Sequence, residues 1–90
     1  MKESRDVMIK RLSMRAMRRG MKEMDIILSG FADRQLADMT DAELQHFDAL
    51  LSENDQDLYQ WVSGQVDAKP EFQSLLDRIR QDTLNAHEPL

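Results

Sequence analysis

Apolar side chains recur at intervals of three and four residues through five stretches of this chain, the mark of helices with one buried face. Three glycines, two prolines and few β-branched residues leave little from which to build a sheet. With 90 residues there is room for one domain, because a second would have no core of its own. The expectation is an all-α, compact, single-domain five-helix bundle over 1–90. Its core should span about 5–84, with the tail from Ala86 to Leu90 loose.

The stripes locate the helices. The first runs from about Arg5 to Arg19 on Met8, Leu12 and Ala16, with Gly20 expected as its left-handed stop and Arg18 and Arg19 in its last turn. The second, from about Met21 to Leu36, carries Met24, Ile27, Leu28 and Phe31, with Glu23 and Asp25 on the favourable side of its dipole. Thr40-Asp41-Ala42-Glu43 is a capping box, flanked by Met39 and Leu44 as a hydrophobic staple. The third helix follows with Phe47, Leu50 and Leu51 on its apolar face. A fourth starts at Asp55 as N-cap and ends at Gly64, and a fifth starts near Pro70. Sequence neighbours are expected to pack antiparallel. The predicted core includes Leu28, Phe31, Leu44, Phe47, Leu51, Trp61, Leu75, Leu76 and Ile79. Met8, Met17 and Met24 read as core filler, Met14 and Met21 as surface. Tyr59, one step off the Leu58–Trp61 stripe, reads as a rim or interface residue.

Charge is split along the chain. Residues 1–22 hold eight basic side chains against Glu3 and Asp6, whereas residues 23–90 hold four basic and fifteen acidic ones. The basic end either faces a partner or faces the acidic remainder of the same domain. No secretory signal is expected, since the charges are followed by no apolar stretch of sufficient length, and the chain reads as cytoplasmic. No apolar run exceeds three residues, so no membrane insertion is expected.

Chemistry-bearing patterns are sparse. Zero cysteines exclude disulfides, thiolate catalysis and Cys-ligated zinc. His46 and His87 have no histidine at helical spacing, which argues against a metal site, and both read as exposed bystanders. No glycine-rich phosphate loop or nucleophile elbow is present, so neither a bound cofactor nor an enzyme is expected. What stands out is the run Arg18-Arg19-Gly20-Met21-Lys22-Glu23-Met24-Asp25. Dipole and capping rules account for it as a helix junction. A tight corner presenting a guanidinium and a carboxylate would equally suit docking on a polar partner. The residues by themselves leave both readings open.

Arg19-Gly20-Met21-Lys22-Glu23 resembles the RGxxE motif of the SdhE family, the FAD assembly factors of succinate dehydrogenase. The likeness extends through Arg11-Leu12, Leu28 to Asp33, Met39 to Leu44, Asp48 to Leu51 and Asp57 to Trp61, about residues 10 to 80 in all. Two departures are visible: Met14, Met17 and Arg18 where relatives often carry an aromatic residue or histidine, and Gln56 where a proline is common after the N-cap.

The resemblance implies a five-helix, non-enzymatic maturation factor. Such proteins bind the flavoprotein subunit of succinate dehydrogenase, and in some bacteria that of fumarate reductase, and promote covalent attachment of FAD. The FAD belongs to the partner, and the factor is expected to be a monomer when free. By carry-over Arg19, Gly20 and Glu23 are the working residues. Arg18, Met21, Asp25 and Tyr59 complete the expected partner-binding set. Some members are also described as antitoxins, which keeps that role open. A nucleic-acid-binding helical protein is the remaining alternative, weakened by a pI near 4.9.

Overall fold

Each apolar stripe coincides with a helix in the computed structural model, which describes residues 3–87. Among these residues the α-helices are α1 (Arg5–Ala16), α2 (Lys22–Gln35), α3 (Asp41–Leu50), α4 (Asp55–Val62) and α5 (Gln73–Asn85), with 3₁₀ turns at Leu36–Asp38 and Pro70–Phe72 and no strand. Over the described residues the fold is all-α with five α-helices, as the spacing predicts. The tail expected to be loose lies, from Glu88 on, outside the described residues.

The apolar faces meet in one core. Helix α2 lies against α1, α4 and α5, and α1 packs in turn on α3. The packing of sequence neighbours is therefore incomplete: α3 rests on α1, and its Leu44, Phe47 and Leu50 join a core that also holds Leu58 and Val62 of α4. Every predicted core residue is buried except Trp61. In α4, Leu58 and Val62, four apart, take the inward positions and leave Trp61 half-buried on the flank. There its ring stacks on Phe72 with centroids 6.4 Å apart. Met17 is also misassigned as filler: α1 ends before it, and it is 49% exposed. Met8 and Met21 are half-buried against the core, and Met14 is exposed as expected. His46 is no bystander, since it is half-buried with its ring 5.1 Å from that of Phe72.

The helix ends show which local signals were sufficient. Gly64 takes the left-handed conformation (φ +84) after α4, as predicted. Arg80, reaching across from α5, donates to the carbonyls of Val62 and Trp61 at 2.8 and 3.0 Å and so satisfies the end of α4. The N-cap of α4 is Asn54 rather than Asp55: its side chain accepts from the Gln56 amide at 2.8 Å, which frees the Asp55 carboxylate. At α3 the capping box is complete. The Glu43 amide donates to Thr40 Oγ1 at 3.1 Å, and the Thr40 amide donates to Glu43 Oε1 at 2.8 Å.

Two outcomes follow for this cap. Thr40→Ala is expected to lower the unfolding free energy by about 1 kcal/mol, measured by urea denaturation, and to leave partner binding unchanged. The Thr40 amide holds the Glu43 carboxyl below its ordinary value of 4.5, with Arg78 assisting. A depressed carboxylate stabilises fully above that ordinary value and loses its contribution as pH falls through the lowered one. Thermal unfolding of Glu43→Gln over an acid series should therefore fall less steeply than wild type below pH 4.5. Parallel curves would show that the box does not set this dependence.

Three arginines of the basic start pair within the chain. Asp48 of α3 accepts from Arg11 at 3.2 and 3.1 Å and from Arg15, while Arg11 also holds Glu3 at 2.8 and 3.0 Å. Arg5 pairs with Asp41 at 2.9 Å and donates to the Ala37 and Met39 carbonyls. Of the two readings of the charge split, the intramolecular one holds for these three arginines. Such exposed or partly exposed pairs stabilise little, so they set how α1 lies on α3 more than they hold the fold together.

Candidate functional site

The junction between α1 and α2 is a corner of five residues, Met17 to Met21. Helix α1 stops at Ala16, three residues short of the expected end, and Met17 is already extended (φ −96°, ψ 165°). Arg18, not Gly20, is the left-handed residue, at φ 55°. That conformation costs a residue with a Cβ about 1–2 kcal/mol. It is held by Asp25, whose Oδ1 accepts from the Arg18 amide at 3.1 Å. Thus Arg18 and Arg19 do not sit in the last turn of α1, and the dipole argument for them lapses.

Arg19 turns inward, its side chain only 12% exposed. Nε donates to Asp55 Oδ1 at 2.8 Å, and Nη2 lies 2.7 Å from the same oxygen as an ion pair. Nη1 donates to the carbonyls of Leu51 at 3.0 Å and Arg15 at 3.3 Å, and Nη2 to that of Glu53 at 3.4 Å. One guanidinium thereby satisfies carbonyls at the ends of α1 and α3 and binds the first acid of α4. The fork geometry is what makes this possible, because a lysine ammonium could not direct donors to all these acceptors together.

Asp55 completes the arrangement with its second oxygen. Oδ2 accepts from the Gly20 amide at 2.9 Å, so one carboxylate holds two consecutive residues of the corner. Gly20 itself is exposed. A Cβ placed on it would meet only Asp55 Oδ2, at 3.5 Å, an ordinary contact. The chain's own packing therefore does not require glycine here, and the left-handed strain expected of a substitution is absent.

The outer surface of the corner is an open concavity of about 510 Å³ lined by Gly20, Met21, Asn54, Asp55 and Gln56. Met21 occupies the N-cap position of α2 and offers no capping side chain. Glu23, in the first turn of α2, is exposed and has no hydrogen bond or ion pair among the described residues. Tyr59 is half-buried one turn along α4 from Asp55. The structure thus divides the expected set. Arg19 and Asp25 hold the corner from within; Gly20, Met21, Glu23 and the Arg18 side chain stand at its surface, with Tyr59 on the neighbouring flank. Asn54, Asp55 and Gln56 were missed. Their one sequence signal is the acid-rich run Glu53 to Asp57, opposite in sign to Arg18-Arg19, and no spacing rule joins segments so far apart.

No group of three or more histidines and carboxylates that could hold a metal ion occurs among the described residues. None of the described helices is long and apolar enough to cross a membrane.

Comparison with known proteins places this corner inside a matched region. Residues 10–83 match a protein family described as flavinator of succinate dehydrogenase. The chain is similar to a mitochondrial succinate dehydrogenase assembly factor 2 from Candida glabrata, 44% identical over 68 residues that cover 76% of this chain and 44% of that protein. A protein of the same name from Scheffersomyces stipitis is 33% identical over 88 residues, covering 92% of this chain and 59% of that one. Another, from Schizosaccharomyces pombe, is 38% identical over 72 residues, with 80% and 52% covered. The chain spans about half the length of these curated relatives. Because the match runs from α1 through α5 and takes in both sides of the Arg19–Asp55 contact, the chain belongs to the family of flavinators of succinate dehydrogenase.

Proposed function

We propose that this chain docks on the flavoprotein subunit of succinate dehydrogenase, or of fumarate reductase where that enzyme is present, and promotes covalent attachment of FAD to it. The reading rests on family membership and, in the fold, on one observation. In a corner whose buried charges are all bonded internally, Glu23 stands exposed and unpaired among the described residues, beside a glycine that internal packing does not require. A bare backbone lets a partner surface approach closely, and a free carboxylate at a rigid position can meet its cations or amides.

In this reading the chain performs no bond-making step. It binds one conformation of the flavoprotein more tightly than the others and so raises the population in which attachment proceeds. FAD stays with the partner, in keeping with the lack of a glycine-rich phosphate loop in this sequence. The chain acts as a monomeric chaperone in the compartment where the flavoprotein folds, the cytoplasm on the sequence reading. Deleting its gene should abolish the in-gel flavin fluorescence that survives denaturation at the flavoprotein's mass, and re-expression should restore it. Undiminished fluorescence in the deletion strain would overturn the assignment.

A further inference from the structure

We propose that Asp55 is a positioning residue for docking: by dividing its carboxylate between the Arg19 guanidinium and the Gly20 amide, it fixes the corner in the shape the partner recognises. The inference rests on the docking reading above and extends it to a residue outside the five-residue motif.

Three observations carry it. The two bonds to the corner engage both carboxylate oxygens, Oδ1 towards Arg19 and Oδ2 towards Gly20 at 2.9 Å, so the carboxylate is oriented by the corner and the corner by it. The bonds join segments with no continuous helix between them: the corner has neither α1 nor α2 geometry from Met17 to Met21 and includes the strained Arg18. A segment of this kind has few local bonds to define it, and its conformation is set by whatever grips it from outside. Finally, Asp55 is free for the task only because Asn54 serves as the N-cap of α4, while its place in the first turn of that helix favours its negative charge.

On this account Arg19 also acts from within. Its guanidinium connects α1, α3 and α4, and its contribution to docking is to hold Gly20, Met21 and Glu23 in place. Without the Asp55 carboxylate the corner would sample several shapes. Apparent affinity falls in proportion to the fraction that remains competent, so a drop to about one tenth weakens binding about tenfold.

The test uses the whole chain and the purified flavoprotein subunit, with affinities measured where every variant is fully folded. Asp55→Ala should speed hydrogen exchange of the Gly20 amide and weaken flavoprotein binding, each by about tenfold. Asp55→Asn, which keeps one oxygen acceptor, should lose less. Thr40→Ala serves as the control, lowering stability at a helix start away from the corner without changing affinity. If Asp55→Ala does not fold, Asp55→Asn carries the same comparison. Equal losses in the Asp55 and Thr40 variants would reduce Asp55 to a stabilising residue and overturn the proposal. Wild-type affinity in Asp55→Ala, with Glu23→Ala impaired, would also overturn it while leaving the docking reading intact. Failure of the wild-type chain to bind the flavoprotein would remove that reading, and this proposal with it.

Discussion

Glu23→Ala is expected to leave the fold essentially intact and to abolish support for covalent flavin attachment. The carboxylate is exposed and has no partner among the described residues, so its removal inside the free chain affects only its favourable place in the first turn of α2. That loss is about 0.3–1 kcal/mol. At a docked interface the balance differs, because truncating one member of a desolvated, hydrogen-bonded charge pair costs about 2–5 kcal/mol. In affinity this is roughly 30- to 5,000-fold. Arg19→Lys should fail for the other reason, through the loss of contacts that close three helix ends, and should lower stability as well as docking. Thermal unfolding, flavoprotein pull-down and covalent flavin yield for the two variants separate these routes. Wild-type yield from Glu23→Ala at physiological expression would defeat the docking assignment.

Phe47→Ala is expected to cost about 3–5 kcal/mol, the largest stability loss of any change considered. The ring is fully buried and lies 5.4 Å from that of Phe31, where α3 meets the shared core. Against a total of about 5–15 kcal/mol for a domain, such a loss removes a large share of the stability. The midpoint of urea denaturation reads it directly. A shift equivalent to less than about 1 kcal/mol would mean that the core collapses around the vacancy at little cost, contrary to the cavity argument.

These two positions differ in how far the sequence determines them. Phe47 is legible because it belongs to a repeat: Leu44, Phe47, Leu50 and Leu51 share a face whatever α3 packs against. The capping box at Thr40 and the glycine stop at Gly64 are legible for the same reason, since their donors and acceptors lie within one helical turn. Trp61 marks the limit of periodicity. Three apolar residues on a short helix define a stripe too wide to bury whole, and only the placement of α4 beside α2 and α5 decides which edge is left out.

The corner shows the other half. Its residues and the motif they resemble were visible in sequence, and so was the place of Glu23 at a helix start. The direction of Arg19 was not, because a guanidinium can serve a partner or its own domain equally well until the chain is folded. The same held for Arg5, Arg11 and Arg15, which turned out to face Asp41 and Asp48. The sequence alone therefore determined the helices, most of the core and the location of the motif, because these depend on interactions between residues a turn or less apart. Tertiary structure decided which charges are internal and which are offered outward: Arg19 and Asp55 are 36 positions apart, and only the packing of α1, α3 and α4 brings their opposite charges within hydrogen-bond distance.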